Sequence, residues 1–302
     1  MMMRIATFAQ SEQMITSALR VQSVMANEQV QESSGLKSED FGGYGSDAGR
    51  VINLQVSVTR SQSYIDAAKL ADNKVQVMYS AVGTMTDIIT QLRTQLSAAT
   101  TGSSTATASV VNYAQQALSQ MQGLLDTQYN GEYVFSGAST DTAPVDLTSF
   151  GTGTGSLTAA DTSYYKGDSE IASVRVSDNQ SISYGVTADN SAFEQVMRVL
   201  KFVGNSTALS SSDVSQALDL AGSALDATST VQAKLSTAAA QIESASASQS
   251  DYQNFAQTLS TDLTSVDVAA VTAQLATYQA QLTASYSAIS KIQSMNLASY
   301  LR

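Results

Sequence analysis

The sequence predicts a mainly α-helical protein: a long antiparallel helical hairpin or coiled-coil bundle formed by N- and C-terminal arms, with a small inserted β-rich domain. Three observations carry this reading. Helix-breaking residues are confined: seven of the 17 glycines and the only proline, Pro144, fall in residues 131–185, whereas residues 50–101 hold only Gly83 and residues 223–302 hold neither. Apolar residues in the flanking stretches recur at alternating spacings of four and three, the 3.5-residue average of a coiled-coil-like seam. Between the arms that pattern gives way to short β-prone runs and turn residues.

In the first arm, Ala71, Val75, Met78, Val82, Met85, Ile89, Leu92 and Leu96 keep the alternation without a miss, and Val51, Leu54, Val58 and Ile65 extend it upstream. The spacing predicts one helix over about 47–98, roughly 75 Å long at 1.5 Å per residue. Thr100 to Ser104, centred on Gly102, form a turn, and a third helix presents Val111, Ala114, Leu118, Met121, Leu125 and Tyr129 on one face. In the C-terminal arm the seam runs through Val214, Leu218, Ala221, Leu225, Thr228, Val231, Leu235, Ala238 and Ile242. It resumes with Tyr252, Phe255, Leu259, Leu263 and Val266, then slips in phase at 266–268, which predicts a hinge or a new helix. The last stretch carries Val268, Val271, Leu275, Tyr278, Leu282, Tyr286, Ile289 and Ile292. Many seam positions are alanine and many helical positions are serine or threonine, so these helices depend on packing partners.

In the middle, Asn130-Gly131 precedes the β-prone Tyr133-Val-Phe135, and the runs Ile171–Val176 and Gln180–Tyr184 flank Ser177-Asp178-Asn179 as a predicted hairpin. Gly151, Gly153 and Gly155 alternate with threonine; without a following Lys-Ser/Thr this is a loop rather than a phosphate cradle.

Composition excludes several chemistries. The 302 residues include no cysteine, histidine or tryptophan, which removes Ser-His-Asp triads, thiolate nucleophiles and the usual zinc sites. The 46 Ser, 30 Thr and 27 Gln outnumber the 41 charged residues, so the solvated faces are neutral and polar. A net charge of -11, with no Lys or Arg in 94–165 or 235–290, argues against nucleic acid and anionic membrane surfaces. The acidic pair Glu39-Asp40 lacks a calcium-loop pattern and reads as a solvated turn. The opening MMMRIATFAQSEQMI has no apolar core of the secretory kind, and no 18-residue apolar run occurs, so neither a cleaved leader nor a membrane insertion is expected. No catalytic set, cofactor or metal is expected.

Several words of the sequence resemble the hook–filament junction family of bacterial flagellar axial proteins (hook-associated protein 3 type), relatives of the flagellins. Asn130-Gly-Glu-Tyr-Val-Phe-Ser-Gly137 followed by Thr140-Asp-Thr-Ala-Pro144 is similar to that family's word at the exit of the first helical arm. Tyr165-Lys-Gly-Asp168, the hairpin runs and Ala192-Phe193 resemble its small β domain and return helix. The stretch from Thr283 to Leu301 resembles its closing helix, and Gln31-Glu-Ser-Ser-Gly-Leu36 resembles a turn shared with flagellins. The glycine-rich Ser38–Gly49 and a middle domain of only about 60 residues depart from the family pattern.

The resemblance implies a secreted structural subunit, exported through the flagellar type III channel with an uncleaved signal; the alanine- and serine-rich terminal helices, unstable unpaired, are expected to be mobile in the free monomer and to order on assembly. It implies a hook–filament junction position. Implied partners are further copies in a ring or helical layer, flagellin, the preceding hook-associated protein and an export chaperone. A flagellin filament subunit and a non-flagellar secreted helical adapter are the alternatives. The expected organisation is a terminal assembly domain (1–40 and 265–302), a helical bundle (41–130 and 192–264) and an outward β-rich domain (131–191). The expected assembly seam comprises Leu19, Val268, Val271, Leu275, Tyr278, Leu282, Ile289, Ile292 and Leu297.

Overall fold

The computed structural model describes residues 2–100, 103–151 and 157–294, so the turn at Gly102, most of the glycine–threonine tract and Leu297 lie outside the described residues. Six α-helices dominate: α1 Met2–Ser34, α2 Ala48–Ala99, α3 Ser104–Leu125, α4 Ser191–Asn205, α5 Ser211–Thr264 and α6 Val268–Ser294. A 3-10 helix, Phe41–Asp47, precedes α2, and the middle holds two two-stranded hairpins, β1 Gln128–Tyr129 with β2 Glu132–Tyr133 and β3 Ser173–Ser177 with β4 Gln180–Ser183. The 52-residue α2 replaces the predicted 47–98 almost residue for residue, and α5 ends where the phase slip predicted a break.

Local chemistry sets the boundaries. At the start of α5 the Ser210 hydroxyl accepts from the Asp213 N–H at 3.1 Å while the Asp213 carboxylate accepts from the Ser210 N–H at 2.9 Å, a reciprocal capping box. The Asn190 side chain accepts from the Ala192 N–H at the head of α4, and the Asp267 carboxylate from the Ala270 N–H at the head of α6. The Asn130-Gly131 turn between β1 and β2 places both residues at positive φ, 53° and 83°, the conformation a two-residue hairpin of this kind requires.

The chain divides into two compact units. The first comprises residues 1–59 and 253–302. In it α1 packs antiparallel on α6, with Ala18, Val271, Leu275 and Leu282 buried along the seam. Gly35 to Lys37 meet the α5–α6 break: Lys37 N–H donates to the Thr264 carbonyl, Val266 N–H donates to that of Gly35, and Leu36 bridges Ser265. The Lys37 ammonium donates to the Leu263 carbonyl at 2.8 Å, placing a cation on the negative end of α5.

The second unit, residues 60–252, holds one continuous core. It contains the α2 seam from Ala68 to Leu96, most of the buried α5 seam, and the apolar faces of α3 and α4. The expected α3 face shifts: Val110 and Ala117 are buried in place of Val111 and Leu118, and Tyr129 lies in β1. The cause is that α3 meets two neighbours, α4 and the Ile88 turn of α2, whose carbonyl accepts from the Tyr113 hydroxyl at 3.0 Å. The α5 seam is corrected beyond Ile242. Tyr252 and Phe255 are exposed, and Ala256 and Ser260 are buried instead.

The middle segment is not an independent body. Phe135, Phe150 and Tyr164 share the helical core, Phe135 packing edge-on to Phe193 of α4 at 5.8 Å and Phe150 edge-on to Tyr164 at 5.0 Å. The buried Glu194 accepts from the Asp161 N–H at 2.9 Å, Arg198 donates to the Leu157 carbonyl, and Lys201 stands 4.1 Å over the Phe150 ring. From α2, Lys74 pairs with Glu132 beside one hairpin, and Arg60 and Tyr64 both donate to Asp178 at the tip of the other. The Tyr64 hydroxyl and Arg60 together hold the Asp178 carboxyl below its ordinary range.

Candidate assembly interface

Single large apolar side chains in water are ordinary, but their concentration in one part of a molecule points to a surface that packs against something. Ten of the fourteen such side chains among the described residues lie in the first unit, which contains little more than a third of the chain. On α1 these are Ile15, Leu19, Val24 and Val30; Leu19 is 60% exposed. Val268 and Tyr286 add to them from α6, Ile52 and Val56 from α2, Phe255 from α5, and Phe41 from the 3-10 helix. At 100° per residue Ile15, Leu19 and Val30 cluster beside the α1–α6 seam rather than on it, and Val24 lies on the other flank.

Charge follows the same division. The first unit carries six basic and eight acidic residues, the second nine basic and eighteen acidic, so nearly all of the net charge of -11 belongs to the second. A near-neutral surface with exposed apolar side chains can be packed against itself many times without accumulating repulsion.

The residues expected from sequence fall into two sets. Val271, Leu275 and Leu282 are buried against α1, and Tyr278, Ile289 and Ile292 are half-buried on the same side of α6. Leu19 and Val268, 43% exposed, stand outside that seam. Sequence reasoning missed Ile15, Val24, Val30, Ile52 and Val56. The signal was present in α1, where apolar residues occupy more of the helix circumference than one seam can cover. Among the described residues no helix is long and apolar enough to cross a membrane.

Both ends of the chain thus build one helical unit that leaves large apolar side chains exposed, while its middle builds a second, acidic unit. Residues 5–140 match the N-terminal helical region of bacterial flagellin, and residues 218–301 match the flagellin C-terminal helical region. The chain belongs to the bacterial flagellin family.

No curated protein sequence matches the chain. Its fold is similar to that of a protein described as a flagellar hook-associated protein from Vibrio parahaemolyticus, with a TM-score of 0.60 at 14% identity, covering 75% of this chain and 99% of that one. Also similar are FlgL from Bacillus cereus (TM-score 0.43, 12% identity, 72% of this chain and 98% of that one) and flagellar hook-associated protein-3 from Legionella pneumophila (0.46, 15%, 71% and 97%).

Proposed function

We propose that the chain is a non-enzymatic structural subunit of the bacterial flagellum at the hook–filament junction, joining the preceding hook-associated protein to flagellin. The observation that carries this reading is the concentration of exposed apolar side chains on the near-neutral terminal unit. Copies pack through that unit, with Leu19 and Val268 on the contact surface and Val271, Leu275, Tyr278, Leu282, Ile289 and Ile292 holding α1 and α6 together so that the surface exists. In the finer division, 1–40 and 265–302 assemble, 41–130 and 192–264 form the bundle, and 131–191 faces outward. The protein reaches this position by secretion through the flagellar export channel, escorted by an export chaperone.

A filament subunit is the second reading, because the matched regions are those of flagellin itself. Localisation separates the two. Labelled protein in a single band at the hook end of isolated flagella supports the junction; label along the whole filament assigns the chain to the filament instead.

A further inference from the structure

We propose that the loop Gly35-Leu36-Lys37 is a strap that keeps α5 and α6 apart as two helices, and that in a chain whose α1 is undocked residues 265–267 turn helical and join them into one. The proposal rests on the reading of the terminal unit as the assembly surface. Docking of α1 and the break in the C-terminal arm are then one event, and the surface carrying Leu19 and Val268 exists only after it.

The local sequence supplies no strong stop at Ser265-Val266-Asp267. Residues 223–302 contain neither glycine nor proline, and serine, valine and aspartate are only mildly unfavourable inside a helix. What interrupts the helix comes from outside the arm. In an unbroken helix the N–H groups of Val266 to Ala270 would donate to the carbonyls of Asp262 to Val266. The loop takes four of those ten groups. Val266 N–H donates to the Gly35 carbonyl at 3.0 Å, and Lys37 N–H donates to the Thr264 carbonyl at 2.8 Å. The Lys37 ammonium donates to the Leu263 carbonyl at 2.8 Å and reaches that of Asp262 at 3.5 Å. From within the arm, the Asp267 carboxylate accepts from the Ala270 N–H at 3.1 Å. Asp267 and Val268 N–H bond no backbone carbonyl among the described residues, so they are the groups that gain most from a joined helix.

The strap travels with α1. Gly35 closes that helix at φ +70°, its N–H donating to the Gln31 carbonyl at 2.8 Å. The Gln31 side-chain amide then donates to the Lys37 carbonyl at 2.9 Å, and Leu36 N–H to the Ser34 hydroxyl at 3.2 Å. Lifting α1 from α6 therefore withdraws the loop, and the carbonyls of 262–264 recover partners when the helix runs on through 265–267. Two states of one segment, only one of which accepts α1, are linked: whatever biases the break must bias α1 docking by the same factor.

Two substitutions push the equilibrium in opposite directions. K37E sets a negative charge against the negative end of α5 and favours the joined helix. V268P favours the break, because proline suits the first residue of α6 but in a joined helix would lose the bond to the Thr264 carbonyl and clash with it. Full-length monomers of the unaltered chain and of both variants are compared by ¹³Cα shifts at 265–267 and by amide hydrogen exchange. In K37E the shifts are expected to move to helical values, with Asp267 and Val268 amides exchanging about tenfold more slowly and α1 amides faster. In V268P the shifts stay extended and α1 amides exchange more slowly than in the unaltered chain. Faster α1 exchange in K37E with 265–267 still extended overturns the proposal, because the break is then local. So does K37E that alters neither readout, and so does V268P that leaves α1 exchange unchanged. Each of these failures leaves the assembly reading standing, since all readouts are taken on monomer. Isolated flagella that lack the chain reject that reading, and with it the strap's role in assembly, without altering the monomer result.

Discussion

Gly137 sits at φ +72°, and a Cβ there would stand 2.3 Å from the Asp168 carboxylate and 2.6 Å from its carbonyl oxygen. The same carboxylate accepts from the Ala138 N–H, the Ser139 hydroxyl and the Glu170 N–H, so the turn around it cannot move without breaking several bonds. Gly137→Ala is expected to destabilise the second unit by about 2 kcal/mol, from left-handed strain plus the displaced carboxylate; a melting curve of the purified variant checks it. Carboxylates of this region also predict an acid limb. Thr148 and Ser149 hold the Asp146 carboxyl at about 2, and hydrogen bonds lower Asp168 and Asp178 in the same direction. An unfolded aspartate titrates near about 3.9. Folded-state values below that mean the folded chain binds fewer protons, so the stabilisation is complete above about pH 4 and is lost as pH falls toward 2. Asp126, pushed up by burial, acts in the opposite sense and softens the limb. Thermal midpoints across that window should fall, and Asp146→Asn should make the fall shallower; a flat profile would refute the assignment.

At the scale of elements, α1 and α6 hold together through a seam in which, among the described residues, Ala18, Val271, Leu275 and Leu282 are the buried apolar side chains. The core around α2, α3 and α4 has many times that apolar burial. In the isolated monomer, amides of α1 and α6 are therefore expected to exchange hydrogen faster than those of α2 between Ala68 and Leu96, and to gain protection in assembled flagella. Leu275→Ala, removing a 5%-exposed side chain, should cost about 2 kcal/mol and accelerate exchange in α1 and α6 selectively. Equal protection of all helices in the monomer would contradict this. The helices themselves were legible in the sequence: α2 follows from an uninterrupted alternation, and the α5–α6 break from its phase slip. Legibility failed where the seam is lined by small residues. Beyond Ile242 the large side chains Tyr252 and Phe255 attract the eye, yet Ala256 and Ser260 occupy the buried positions. It failed again on α3, because a helix with two neighbours buries a wider arc than one stripe describes. The α1 exterior is half legible: Leu19 is among the expected residues, whereas Ile15, four residues before it, and Val30 share its face but lie beside the seam rather than on it.

For the whole molecule, what matters is the partition between a near-neutral terminal unit and an acidic central one. The exposed apolar side chains concentrate in the terminal unit, where the sequence reading expects an assembly surface. That reading did not show that the middle segment shares the core of the helices. Phe135, Phe150 and Tyr164 lie in one cluster with Phe193 and Met197, so excising residues 138–190 would strip α4 of its cover rather than remove an appendage. The direct comparison therefore uses two matched surface leucines. Leu19 in the terminal unit is 60% exposed and Leu70 in the central unit 46%, both on long helices. Aspartate at either position should change monomer stability by no more than about 0.5 kcal/mol, as surface substitutions do. The measurement is motility together with flagellin in the culture supernatant for each variant. The terminal unit as assembly surface predicts that Leu19→Asp loses motility and sheds flagellin while Leu70→Asp swims normally; normal swimming by Leu19→Asp, with shedding by Leu70→Asp, would contradict it.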